Sequence, residues 1–163
     1  MAKVYVGIGT NEGDRAANVA RALELLKETP EIRVERLSDS YETEPVGGPA
    51  QEKYLNACVQ LDTELLPLDL LSKLKAVERR LGRVKTVEDG PRPMDLDILF
   101  YDDVVIVDGK HLTVPHPRLH ERWFVLKPLS EIAPELVHPR LGRSVRQMLE
   151  DLERENGHSG RAA

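Results

Sequence analysis

The chain lacks the means for several whole classes of protein. Cys58 is the only cysteine among 163 residues, so no internal disulfide can form and a reducing compartment, the cytoplasm, is expected. No apolar run approaches the roughly 20 residues that a membrane-spanning helix needs, and the opening Met-Ala-Lys-Val-Tyr-Val-Gly enters a strand pattern with no signal-peptide core. Positive charge is not in excess. The formal net charge is −5 with both signs mixed, which argues against a general nucleic-acid binder. The glycines near the start do not form a phosphate loop either. A dinucleotide fingerprint beginning at Gly7 would want glycine where Glu12 stands, and no Gly-Lys-Ser/Thr follows. Internal repeats and dividing linkers are missing too, so one domain over residues 1–155 is expected, with a disordered tail over 156–163.

What is present centres on Asp89-Gly90-Pro91-Arg92-Pro93-Met94-Asp95-Leu96-Asp97-Ile98-Leu99-Phe100. A turn leads into an alternating run that predicts a strand, with Asp95, Asp97 and Leu99 on one face and Leu96, Ile98 and Phe100 on the other. Carboxylates two apart on a strand sit roughly 6.5–7 Å apart at the backbone. Their oxygens can converge on one hard cation or on two. Arg92 precedes them, where a planar cation would meet the phosphates that such ions accompany. A solvated edge strand is the bland alternative, although two aspartates in an apolar strand need compensation.

The rest of the chain reads as alternating strands and helices. Val4–Gly9 predicts a first strand, and Val19, Ala22, Leu23 and Leu26 predict the buried stripe of a helix that Pro30 ends. Ile32–Ser40 predicts a second strand, followed by a loop from Tyr41 through Pro49. Tyr54–Leu61 alternates: Leu55, Ala57, Val59 and Leu61 face a core. Tyr54, Asn56, Cys58 and Gln60 share the other side, which suits either a pocket wall for a flat polar ligand or a partly exposed sheet face. Pro67 opens a second helix with Leu70, Leu71, Leu74, Val77 and Leu81 buried, Glu78 on the flank and Gly82 as cap. Arg83 and Lys85 then lie on a loop that delivers the chain to the aspartates. Such cations are what phosphoryl or nucleotidyl transfer requires, because the reacting phosphates carry dense charge. A short strand over Val104–Val107 and a helix beyond the prolines at 115 and 117 follow. His116 and Arg122 are candidate hydrogen-bond donors to phosphate, since Pro117 disfavours a shared helical metal face for His116 and His120 on steric grounds. A last helix carries Val145, Met148, Leu149 and Leu152. The residues alone therefore support an α+β domain with a site for divalent cations and phosphate.

The motifs taken together go further. Tyr5-Val6-Gly7-Ile8-Gly9-Thr10-Asn11-Glu12-Gly13-Asp14-Arg15, Tyr41-Glu42-Thr43-Glu44-Pro45, Tyr54-Leu55-Asn56-Ala57, Gly90-Pro91-Arg92-Pro93-Met94-Asp95-Leu96-Asp97-Ile98-Leu99 and Val114-Pro115-His116-Pro117-Arg118 occur in that order. So arranged, from about residue 3 to residue 140, the chain resembles the 6-hydroxymethyl-7,8-dihydropterin pyrophosphokinases of the folate pathway. The resemblance implies a ferredoxin-like antiparallel sheet flanked by helices. It implies transfer of the terminal diphosphate of ATP to the pterin's hydroxymethyl oxygen, with release of AMP, by a monomeric enzyme without nucleic-acid or membrane partners. By the same resemblance Asp95 and Asp97 hold two Mg2+ ions. Arg83, Lys85 and Arg92 are catalytic cations, and Glu78, Arg92, Ile98, His116 and Arg122 contact ATP. Tyr54 and Phe124 sandwich the pterin, while Asn56 and the backbone around Thr43, Val46 and Gly47 read its edge. Many relatives carry Arg-Trp just before the Gly-Pro-Arg, where this chain has Glu88-Asp89. A non-catalytic pterin- or nucleotide-sensing module and another Asp-x-Asp metal-dependent transferase are the alternatives.

Overall fold

Strand β1 (Ala2–Thr10) is the one on which the sheet is hung. In the computed structural model, which describes residues 1–43, 53–82 and 94–156, β1 lies between β4 (Tyr54–Thr63) and β5 (Asp95–Tyr101), antiparallel to both. On its outer side β4 pairs with β2 (Ile32–Leu37) and then with the short β3 (Tyr41–Thr43). With α1 (Arg15–Lys27) and α2 (Pro67–Arg80) in the crossovers, the order β2-β4-β1-β5 is the ferredoxin-like arrangement expected from the sequence.

Alternation along the strands builds two cores. Val4, Val6, Ile8, Ala57, Val59, Leu61, Leu96 and Ile98 face α1 and α2, meeting Val19, Ala22, Leu25, Leu26, Leu70, Leu74 and Val77. Tyr5, Cys58, Leu99 and Phe100 face the opposite way. There they meet α3 (Trp123–Ile132) and α4 (Val145–Asn156) through Leu126, Leu129, Val145, Met148, Leu149 and Leu152. Each such aliphatic side chain is worth about 1.5–3 kcal/mol on burial, so both faces of the sheet are needed.

Several expectations change in detail. Phe100 does not share a face with Leu96 and Ile98. Tyr5 pairs with Phe100 but Val6 pairs with Ile98, so Leu99 is an extra residue, and this bulge turns Phe100 into the second core. The second strand does not run on to Ser40. It stops at Leu37, where Ser38 takes over the ladder: its amide donates to the Cys58 carbonyl (2.9 Å) and its hydroxyl accepts from the Cys58 amide (2.8 Å). Tyr41–Thr43 is a strand, not loop, because its backbone finds Tyr54–Asn56. In α1, Leu25 is buried and Leu23 only partly so. The short strand after Asp103 is β6 (Ile106–Asp108), which forms a hairpin with β7 (Leu112–Val114); beyond the prolines a 3-10 turn (Leu119–Glu121) precedes α3. Pro67 and Gly82 stand as expected, at the first turn of α2 and just past its end with φ 85°. Asn156 is the last residue of α4. No helix among the described residues is long and apolar enough to cross a membrane.

Candidate active site

The face of β5 that carries Asp95 and Asp97 is opened by its neighbour. Asp97 pairs across the ladder with Gly7 and Asp95 with Gly9, while the intervening Leu96 pairs with Ile8 toward the first core. Two side chains are therefore missing opposite the two carboxylates. A Cβ on Gly9 would lie 3.3 Å from Asn56 Oδ1 and 3.7 Å from Tyr54 Cδ1, so the glycine also makes room for the polar face of β4. Sequence reasoning weighed these glycines only against a phosphate loop and as part of a family motif, and did not place them opposite the aspartates. Their signal was present: a Gly-x-Gly of period two on a strand, in the same rhythm as the Asp-x-Asp.

Behind the aspartates, Glu78 of α2 is buried (4% exposed) and accepts the Leu96 amide proton at 2.7 Å. A carboxylate clamped on the peptide between Asp95 and Asp97 anchors the strand where both side chains leave it. Asp95 is half-buried and Asp97 exposed.

Two cavities meet at this strand. The first, of about 480 Å³, is lined by Gly7, Gly9, Thr43, Tyr54, Asn56, Leu99, Arg118, Glu121, Arg122, Phe124 and Val125, besides Asp95, Asp97 and His116. Asn56 is buried, and its amide donates to Thr43 Oγ1 at 2.6 Å, which turns Oδ1 toward the space over Gly9. The Arg122 guanidinium lies 5.6 Å from the centre of the Phe124 ring, a cation–π contact. At the start of α3, Trp123 stands edge-on to Tyr41 with ring centres 5.9 Å apart and donates from Nε1 to Glu153 of α4 at 2.9 Å. Phe124 thus follows a residue fixed from two sides. The second cavity, of about 470 Å³, is lined by Leu71, Lys75, Glu78, Ile98 and the β6–β7 hairpin from Gly109 to Thr113, and again by Asp95, Asp97 and His116. The three residues common to both walls are the aspartates and the histidine.

His116 is held neutral. Burial, with Arg122 and Arg118 nearby, lowers its pKa to about 4, and its buried Nδ1 has no hydrogen-bond partner among the described residues. Its backbone amide donates to the Leu99 carbonyl at 3.0 Å, which fixes the residue beside the bulge. Arg118 pairs with Glu121 at 3.2 Å, so its charge is partly met within the wall.

The structure thus brings together Thr43, Tyr54, Asn56, Asp95, Asp97, Ile98, Glu78, His116, Arg122 and Phe124 from the sequence reading. Of the polar side of β4, Tyr54 and Asn56 line the first cavity, whereas Cys58 packs in the second core and Gln60 is buried. Val46, Gly47, Arg83, Lys85 and Arg92 lie outside the described residues. Besides the glycines, sequence reasoning gave no individual role to Lys75, Lys110, Arg118 or Thr113, which are recognised only by where α2, the hairpin and the 3-10 turn put them. Among the described residues no three His, Cys, Asp or Glu side chains gather as a metal cluster. Asp95 and Asp97 would supply only part of the oxygen shell of a hard cation, and the remainder fits water and phosphate oxygens.

A family model described as 7,8-dihydro-6-hydroxymethylpterin-pyrophosphokinase matches residues 5–134. The chain is 45% identical over 153 residues to the 2-amino-4-hydroxy-6-hydroxymethyldihydropteridine pyrophosphokinase of Methylorubrum extorquens, covering 94% of this chain and 95% of that one. It is 45% identical over 139 residues to the protein of the same name from Aquifex aeolicus, covering 85% of each. Against the folic acid synthesis protein fol1 of Schizosaccharomyces pombe it is 39% identical over 148 residues, 91% of this chain but 20% of that protein. Among solved structures, an HPPK-DHPS protein in complex with substrates superposes with a TM-score of 0.76 at 15% identity, over 95% of this chain. The chain spans only 44% of that structure's length. That likeness speaks for the fold.

Proposed function

The chain belongs to the 7,8-dihydro-6-hydroxymethylpterin-pyrophosphokinase family, and from that premise we propose that it moves the terminal diphosphate of ATP to the hydroxymethyl oxygen of 6-hydroxymethyl-7,8-dihydropterin, releasing AMP. One observation carries the reading: two cavities of similar size share a wall, and that wall holds both aspartates. A transfer between two substrates needs such a meeting point, where donor and acceptor atoms are brought within bonding reach.

In the first cavity Tyr54 and Phe124 take the faces of the flat ring, and Asn56 Oδ1 accepts from its edge while Thr43 fixes the amide. Val46 and Gly47 complete that edge by family likeness. A site with such fixed acceptors rejects analogues that lack the matching donors. In the second cavity Glu78, Ile98 and His116 contact ATP. Arg122, with Arg83, Lys85 and Arg92 by likeness, meets the phosphates. His116 stays neutral near pH 7, so it donates one N–H to an oxygen without adding charge. The hydroxymethyl oxygen bonds to the β-phosphorus as the bond from that phosphorus to the α–β bridging oxygen breaks, in line; the hydroxyl proton passes to water and the α-phosphate leaves as AMP.

Asp95 and Asp97 are the residues to hold Mg2+, two ions in this reading, and the metal's contribution is to neutralise phosphate charge. The donor set fits, being hard oxygens open to both cavities. We read residues 1–155 as one domain that works as a monomer in the cytoplasm.

Product analysis with ATP, magnesium and the pterin tests the reading. AMP formed one-for-one with pterin diphosphate is the expected outcome. ADP with a monophosphorylated pterin would overturn the reaction while leaving the two-cavity arrangement in place.

A further inference from the structure

The turn between β1 and α1 is used by nothing above, yet it is built with care. Asp14 caps α1 by accepting from the Ala17 amide at 3.1 Å, and Asn18 Nδ2 donates both to the Glu12 carbonyl (2.8 Å) and to Thr10 Oγ1 (3.2 Å). Gly13 makes the bend with φ 71°. This fixes the first residue of the helix, Arg15. Its guanidinium then reaches two segments that are not its own: Nη2 donates to Glu42 Oε1 at 2.9 Å, and Nη1 donates to the Lys53 carbonyl at 2.7 Å.

Those two partners sit immediately before Thr43 and Tyr54, the last pair of the β3–β4 ladder, and both of these line the first cavity. Strand β3 is only three residues long and, among the described residues, pairs with β4 alone, so its own ladder holds it weakly. Its three side chains are each tied elsewhere. Tyr41 packs on Trp123, Thr43 accepts from Asn56, and Glu42 takes Arg15. The Arg15 and Glu42 side chains are 24% and 35% exposed, so the pair is partly shielded from solvent. We propose that Arg15 is a positioning residue for the ring-binding cavity: one guanidinium crosslinks the stems of β3 and β4 and so sets the distance of Thr43 from Tyr54 and Asn56. The inference rests on the pterin reading of that cavity.

Arginine suits the task where lysine does not. Its planar fork presents two N–H groups to a carboxylate and a carbonyl at once, whereas an ammonium is a single point charge. In Arg15→Lys one of the two ties is therefore lost. Glu42→Gln removes the charge from the other side and leaves the Lys53 carbonyl bond intact.

Steady-state kinetics of both variants, with each substrate varied in turn, tests this. A displaced binding wall far from the chemistry is expected to raise KM for the pterin about tenfold, with KM for ATP and kcat within about twofold of the parent. The double variant should lose less than the sum of the two single losses, since both substitutions act on the Arg15–Glu42 contact. An unchanged pterin KM in Arg15→Lys would overturn the proposal. So would an equal rise for both substrates or a fall in kcat alone, which a general loosening of the fold would give. Parent enzyme that makes no AMP from ATP and pterin would instead overturn the function on which the inference stands.

Discussion

Glu78 has a structural role that substitution isolates. Its oxygen satisfies the buried Leu96 amide. Glu78→Ala leaves that donor without its partner and should cost about 1–3 kcal/mol of unfolding free energy, read as a lower urea midpoint. Glu78→Gln keeps an acceptor and should recover most of it. Asp97 is the opposite case, exposed and outside both cores. Asp97→Ala should leave the circular dichroism and melting temperature alone yet lower turnover by about 10³-fold, with weaker magnesium-ATP binding by calorimetry. Full activity in that variant would remove the metal assignment. The Asp-x-Asp was legible in the sequence because carboxylates are out of place in an apolar strand. Gly7 and Gly9 were not, because their role exists only opposite a strand some ninety positions away in sequence.

Two histidines give the enzyme a pH dependence of known sign. His116 and His138 both have lowered pKa values, chiefly through burial, and His138 Nδ1 accepts from the Arg140 and Leu141 amides at 3.1 and 3.2 Å. The unfolded chain takes up these protons below the ordinary value of 6.5, whereas the folded chain resists until about 4 at His116. Stability from this source is complete above 6.5 and is lost as the pH falls through that window. Urea midpoints measured from about pH 7.5 to pH 5 should decline, and His116→Asn should flatten the slope.

At the scale of elements, what alternates or repeats along one segment could be read and what breaks the rhythm could not. The core face of β4, the stripe of α2 and that of α4 follow directly from period 2 and period 3.6. The bulge at Leu99 is a single inserted residue and leaves no trace in composition, yet it decides that Phe100 packs with His138, ring centres 5.8 Å apart, rather than with Leu96. Strand β3 hid behind the Pro- and Gly-rich stretch that follows it. Crowding along β1 makes a graded prediction. At Gly9 a methyl group would press on Asn56 at 3.3 Å, while at Gly7 it would meet Leu99 at an ordinary 3.5 Å. Gly9→Ala should therefore raise the pterin KM several-fold and Gly7→Ala much less, compared in the same assay.

At the scale of the whole molecule, residues from five separate segments converge because β1 lies at the middle of the sheet. Its neighbours β4 and β5 each turn one polar edge to the same end. Convergence of that kind belongs to topology, and the ordered motifs pointed to it only through their family likeness. It also places the chain's single tryptophan usefully. Trp123 is pinned between Tyr41 and Glu153, next to Phe124 on the ring-binding wall and away from the second cavity's lining. The protein thus carries an intrinsic fluorophore that lines neither cavity but adjoins Phe124 of the first, the cavity in which we place the pterin. Its emission should be quenched saturably by the pterin and change little with magnesium-ATP, so rapid mixing of unlabelled protein would report the order in which the two substrates arrive.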